Sequence, residues 1–125
     1  MDKQKRKELK QDYLQSARPA GVIAIRCKVN GKVLFVSSLN LNGVLDRHEF
    51  QLRLGGHYNK ELQKDWNTYG RENFTFEILE QLETKDDPTY DYSDDLAVLE
   101  ELWLEELQPY DPERGYNNKH TRLRQ

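Results

Sequence analysis

Two runs rich in apolar and β-branched residues, Gly21 to Lys28 and Lys32 to Ser38, flank the dipeptide Asn30-Gly31. No other feature of the sequence constrains the fold as much. Asn-Gly tolerates the positive φ that a tight primed turn demands, so the two runs should form an antiparallel hairpin at the start of the fold. A third strand is expected over about 73–82, where Phe74, Phe76 and Ile78 alternate with polar residues.

Between these strands the period changes from two to that of a helix. Residues 42–54 place Leu41, Val44, Leu45, His48 and Leu52 on one face, with Asn40 or Asn42 as the cap and Gly55-Gly56 as the stop. Tyr58, Leu62, Trp66 and Tyr69 then mark a second amphipathic helix that Gly70 ends. After an acidic loop over 83–93, Ser93 should cap a third helix over about 94–108, buried through Leu96, Leu99, Trp103 and Leu107. Residues 3–15 contain only helix-compatible residues with a thin apolar strip of Leu9, Tyr13 and Leu14, and Pro19 stops them. The chain should therefore be an α+β domain, a small three-stranded antiparallel sheet flanked by helices in the order β-β-α-α-β-α. Its expected parts are an N-terminal basic helix or arm over 1–18, a core domain over 19–118 and a basic tail over 119–125.

Charge narrows the partners. The net charge of -3 hides a +3 segment over 1–18, a -11 segment over 83–113 and a +4 segment over 114–125. A polyanion could bind only on a face that excludes the acidic segment, whereas that acidic surface would suit a basic protein. No apolar run reaches the ~18 residues of a membrane span, and the lone Cys27 cannot form an intramolecular disulfide, so a reducing cytoplasm is the expected setting. Cys27 itself falls in a strand, where a packed, inert thiol is expected.

Two polar residues fall on faces that should be buried, His48 and Glu100. An unpaired buried carboxylate costs several kcal/mol, so Glu100 needs a metal, a cation, a hydroxyl or a water as partner. Either the pair belongs to a site, or His48 is a hydrogen-bonded core histidine and Glu100 sits at the edge of the buried stripe with its carboxylate in solvent. The three histidines at 48, 57 and 120 lack zinc spacing, and Ser37-Ser38 lacks the glycine-flanked turn of a nucleophile elbow.

The stretches Val29-Asn30-Gly31-Lys32-Val33, Asn59 to Gly70 followed by Asn73-Phe74-Thr75-Phe76-Glu77, and Glu100 to Trp103 leading to Gly115-Tyr116-Asn117 occur in this order. With them the chain resembles the GIY-YIG endonuclease superfamily from about Gly21 to Asn117. The resemblance implies phosphodiester cleavage with one divalent metal, tyrosines of two name motifs near the paired strands, an arginine on the first helix and a metal-binding glutamate on a later one. By that resemblance Glu100 matches the metal glutamate, His48 a histidine one turn after the arginine, and Asn117 an asparagine near the end of the family pattern. Both tyrosine positions are aliphatic here, Ile23 and Leu34, and Val44 stands where the arginine is expected. These replacements are what a wet cleft around Glu100 filled with packing would produce. Removing one preorganised charge-stabilising donor already costs ~10² to 10³ in rate.

Two functions follow from the resemblance. One is a catalytically degenerate nuclease-like domain that binds nucleic acid or a protein and requires no cofactor. Phosphate contacts would come from Lys3, Lys5, Arg6, Lys7 and Lys10, from Lys60 and Lys64 on the second helix, and from Arg114, Lys119, Arg122 and Arg124. The alternative is an active DNA endonuclease with a non-standard site, using magnesium or manganese at Glu100. Oligomeric state stays open.

Overall fold

Strand β1 (Gly21–Cys27) carries Val, Ile and Ala and runs down the middle of the sheet. It pairs antiparallel with β2 (Val33–Ser38) on one side and β3 (Phe74–Gln81) on the other, giving the order β2-β1-β3. The structure is a computed structural model and describes residues 19–119 and 121–125. The arm expected over 1–18, with Lys3, Lys5, Arg6, Lys7 and Lys10, lies outside the described residues. Helices α1 (Val44–Leu54), α2 (Lys60–Tyr69) and α3 (Ser93–Leu107) complete the α+β fold.

Alternation along the strands divides the interior in two. Ile23, Ile25, Leu34 and Val36 point toward α1 and α2, where they pack with Val44, Leu52, Leu62, Trp66 and Tyr116. Val22 and Phe35 point the other way and pack against Leu96 and Leu99 of α3. Both faces of β1 are covered, which explains why the strand reads as a nearly continuous apolar run, with Arg26 as its one half-exposed residue. Two glycines are required by close approach. A Cβ at Gly21 would lie 2.3 Å from the Glu80 carbonyl oxygen, beside the register shift between β1 and β3, and one at Gly115 would lie 2.2 Å from the Pro109 carbonyl oxygen.

The outer edge of β2 is closed by distant chain. Val33 N–H donates to the Arg114 carbonyl, and Tyr116 N–H donates to the Val33 carbonyl. The Asn117 amide then acts as a short piece of strand: its Oδ1 accepts from Phe35 N–H and its Nδ2 donates to the Phe35 carbonyl, both at 2.8 Å. Ser37 is matched in the same way by Leu123 and Gln125. Residues 121–125, expected within a basic tail, thus line a strand edge and leave no row of unpaired groups there.

Local details depart from the sequence expectations. The hairpin is not closed by a two-residue primed turn. Cys27 N–H donates to the Lys32 carbonyl across a four-residue loop, and only Gly31 has positive φ, while Asn30 Oδ1 accepts from Lys32 N–H. Neither Asn40 nor Asn42 caps α1. Its N-cap is Gly43 in the left-handed region, a conformation that favours glycine. Ser93 is the first residue of α3 rather than its cap, and its N–H is held by the Asp91 carboxylate. Tyr58 lies before α2, which Asn59 caps by accepting from Leu62 N–H.

Candidate functional site

Helices α1 and α2 are joined by a tight reversal at Gly55-Gly56, which returns the chain so that His57 faces His48. Their ring nitrogens, His48 Nδ1 and His57 Nε2, are 2.8 Å apart in a buried setting. Asn59 N–H donates to His57 Nδ1, so a neutral His57 carries its proton on Nε2 and gives it to His48 Nδ1. This leaves the His48 proton on Nε2. Burial pushes the pKa of His48 down to about 4, helped by His57 and by Arg47, and burial likewise lowers His57 to about 4. Both imidazoles are neutral at pH 7. The Tyr58 ring stacks on His57 with centroids 4.5 Å apart, and burial pushes its hydroxyl up to about 12 against the pull of Arg122. Gln63 completes the cluster by accepting from His57 N–H and donating to the Leu52 carbonyl.

Sequence spacing brings His57 up only as one of three histidines without zinc spacing and gives no sign that it meets His48. The adjacent Gly-Gly reversal was the signal that could have brought it back to the His48 face.

Glu100 lies on the opposite side of the sheet. Its side chain is 12% exposed, so the carboxylate is not at the solvent edge of the helix. Its Oε1 accepts from Ser37 Oγ at 2.5 Å, from Arg124 Nε at 2.9 Å and lies 2.8 Å from a second Arg124 nitrogen. The partners the carboxylate required are therefore a hydroxyl and a guanidinium. Arg124, expected to contact phosphate, is committed to this ion pair.

Ile23, Leu34 and Val44 do converge, but on each other within the α1–α2 core and not on Glu100. Ser37, which meets Glu100, alternates with Phe35 and so faces α3. The expectation of a cleft plugged around the carboxylate is corrected by this parity: adjacent strand residues point to opposite faces. Asn117 is 4% exposed and uses its amide oxygen and nitrogen on the β2 edge. Arg47 is exposed, about 100° around α1 from His48. Lys60 and Lys64 are exposed on α2.

A divalent metal fits this donor set poorly. Among the described residues no group of three or more His, Cys, Asp or Glu could hold one. At Glu100 an ion would meet a guanidinium already bound to the same oxygen, and like charges repel. Among the described residues no helix is long and apolar enough to cross a membrane.

No family model matches the sequence, and a search of curated proteins finds no match. Solved structures do match. The catalytic domain of the homing endonuclease I-TevI superimposes with a TM-score of 0.61 and 28% identity, over 78% of this chain and 96% of that one. A mutant of the same intron endonuclease domain gives a TM-score of 0.61 and 26% identity, over 79% of this chain and 92% of that one. Together with the strand and helix order described above, this likeness supports the GIY-YIG endonuclease superfamily as the family of this chain.

Proposed function

We propose that this domain is a GIY-YIG fold kept for binding nucleic acid rather than for cutting it. The observation that carries the reading is the pairing of Glu100, whose carboxylate meets the Arg124 guanidinium and accepts from the Ser37 hydroxyl within the chain. A nuclease of this type needs a cation opposite the leaving group and a route to a hydroxide-like nucleophile. Here the carboxylate at the metal position is already paired, and the three substituted positions, Ile23, Leu34 and Val44, are aliphatic side chains in the core.

The nucleic-acid part of the reading is supported by the surface around Tyr58. A cavity of about 380 Å³ is lined by Tyr58, Asn59, Lys60, Glu61, Asn118 and Thr121, and Glu61 is paired with Lys32. Lys60, Lys64, Lys119 and Arg122 are exposed on the elements that form it. A half-exposed tyrosine among cations is the arrangement that holds a base by stacking and its phosphate by charge.

The test pairs a nicking assay with a salt titration. Purified protein incubated with supercoiled plasmid in magnesium or manganese should leave the plasmid intact. It should bind DNA with an affinity that falls with salt, and Lys60→Ala should reduce the log-log salt slope by about 0.9, as expected for one phosphate contact. Cleavage that disappears in Glu100→Ala would establish the endonuclease instead. Absence of DNA binding at low salt would remove nucleic acid as the ligand.

A further inference from the structure

The outward face of α3 carries a feature that neither the fold nor the Glu100 pair uses. Val98 and Leu102, one helical turn apart, are 59% and 60% exposed. With Leu82, Tyr90 and Leu99 they line an open groove of about 400 Å³ between α3 and the loop before it. A second hollow, of about 290 Å³, continues from Leu102 past Trp103. The walls are acidic: Glu83 and Asp95 border the first hollow, Glu80 and Glu106 the second, with Lys85 as the one cation among these lining residues. An apolar floor with an acidic rim marks a surface for a basic, amphipathic segment.

We propose that the occupant is the chain's own segment 1–18. Three observations support it. That segment carries a charge of +3, against -11 over residues 83–113. Taken as a helix, it sets Leu9 and Tyr13 about 40° apart on one face, with Lys5 and Arg6 on either side and Asp12 about 20° beyond Lys5. Its point of attachment is also right. Leu82 N–H donates to the Ala20 carbonyl at 2.8 Å, so the segment joins the domain beside the residue that begins the groove. Tyr13 and Leu14 are only five or six residues before Pro19. A few residues at ~3.3 Å each are ample to reach the groove.

Docking would place Leu9 and Tyr13 against Val98 and Leu102 and oppose Lys5 and Arg6 to the acidic rim. This inference is independent of whether the domain binds nucleic acid.

Hydrogen exchange on the full chain tests it, because a helix of about 13 residues has little protection on its own in water. Amides over 4–15 should exchange at least about tenfold more slowly than an unstructured segment, and that protection should vanish in Val98→Glu/Leu102→Glu. Both positions are exposed, so β1 should keep its own protection in the variant. Leu9→Asp, which lies outside the described fold, should give the same loss and stands in if the double variant unfolds. Unprotected amides over 4–15 in the wild type would overturn the proposal, as would protection that survives both variants. Protection that rises with protein concentration would assign the groove to a second copy and would equally overturn it.

Discussion

The fold holds two polar islands on opposite faces of one sheet, and they are stabilised in different ways. The His48–His57–Asn59–Gln63 cluster is neutral, fully buried and tied together by backbone and side-chain hydrogen bonds from neighbouring stretches of chain. The Ser37–Glu100–Arg124 cluster is ionic and draws one partner from β2, one from α3 and one from residues 121–125. Neutral groups in low dielectric are held by satisfying each donor and acceptor, and the cost of failure is a stranded polar atom. An ion pair at the edge of the protein is held by charge, tolerates water and weakens in salt. The first cluster should therefore respond to pH and to deletion of single atoms, the second to ionic strength.

The largest effect should come from Asn59→Ala. This change removes the cap of α2 and leaves the Tyr116 carbonyl without its Asn59 Nδ2 donor. A lost cap at ~1 kcal/mol and a stranded buried carbonyl at ~2 kcal/mol together predict about 3 kcal/mol, read as a lower urea midpoint at unchanged m. A loss under 1 kcal/mol would mean that water replaces the amide and the cluster is less closed than described.

Acid should come next. The folded-state pKa values of His48 and His57, about 4, lie below the unfolded value of 6.5. The unfolded chain therefore takes up protons first as pH falls. Stability is complete well above 6.5 and is lost progressively toward 4, by about 0.8 kcal/mol for each imidazole at pH 6 and so by less than about 2 kcal/mol for the pair at that pH. Urea midpoints at pH 7.5, 6 and 5 measure this, and a flat profile over that range would contradict neutral burial of the pair.

The smallest effect is expected for Arg124→Ala, at about 1 kcal/mol, because the arginine is 37% exposed, so water can enter where it stood, and Ser37 Oγ still donates to Glu100. The difference between wild type and this variant should shrink in 1 M salt, whereas the Asn59→Ala difference should not. Equal salt sensitivity of the two would erase the distinction between the islands.

The elements that read clearly in the sequence are those whose signal is local and periodic. Val22 to Cys27, the Phe74 and Phe76 alternation and the Leu96, Leu99, Trp103, Leu107 stripe need only their neighbours to declare a strand or a helix. Caps were less legible. Asn40 and Asn42 have the right side chains, yet the chain turns at Gly43, because a positive φ there begins α1 without a side-chain cap. Positions joined through the tertiary fold were not legible at all. Nothing near Glu100 announces Arg124, which is 24 residues away, and nothing near Phe35 announces the amide of Asn117. Periodicity identified both buried polar residues, His48 and Glu100. It could not say that one would find a neutral ring and the other a guanidinium, or that the sheet would stand between them.

The closure of β2 also bears on how the chain is made. Phe35 is sealed by a residue 82 positions later. During synthesis from the N-terminus, the hairpin therefore leaves the ribosome with a bare flank and stays so until nearly the whole domain has followed. A nascent chain halted between α3 and Asn117 would present six strand residues ready to pair with a neighbour.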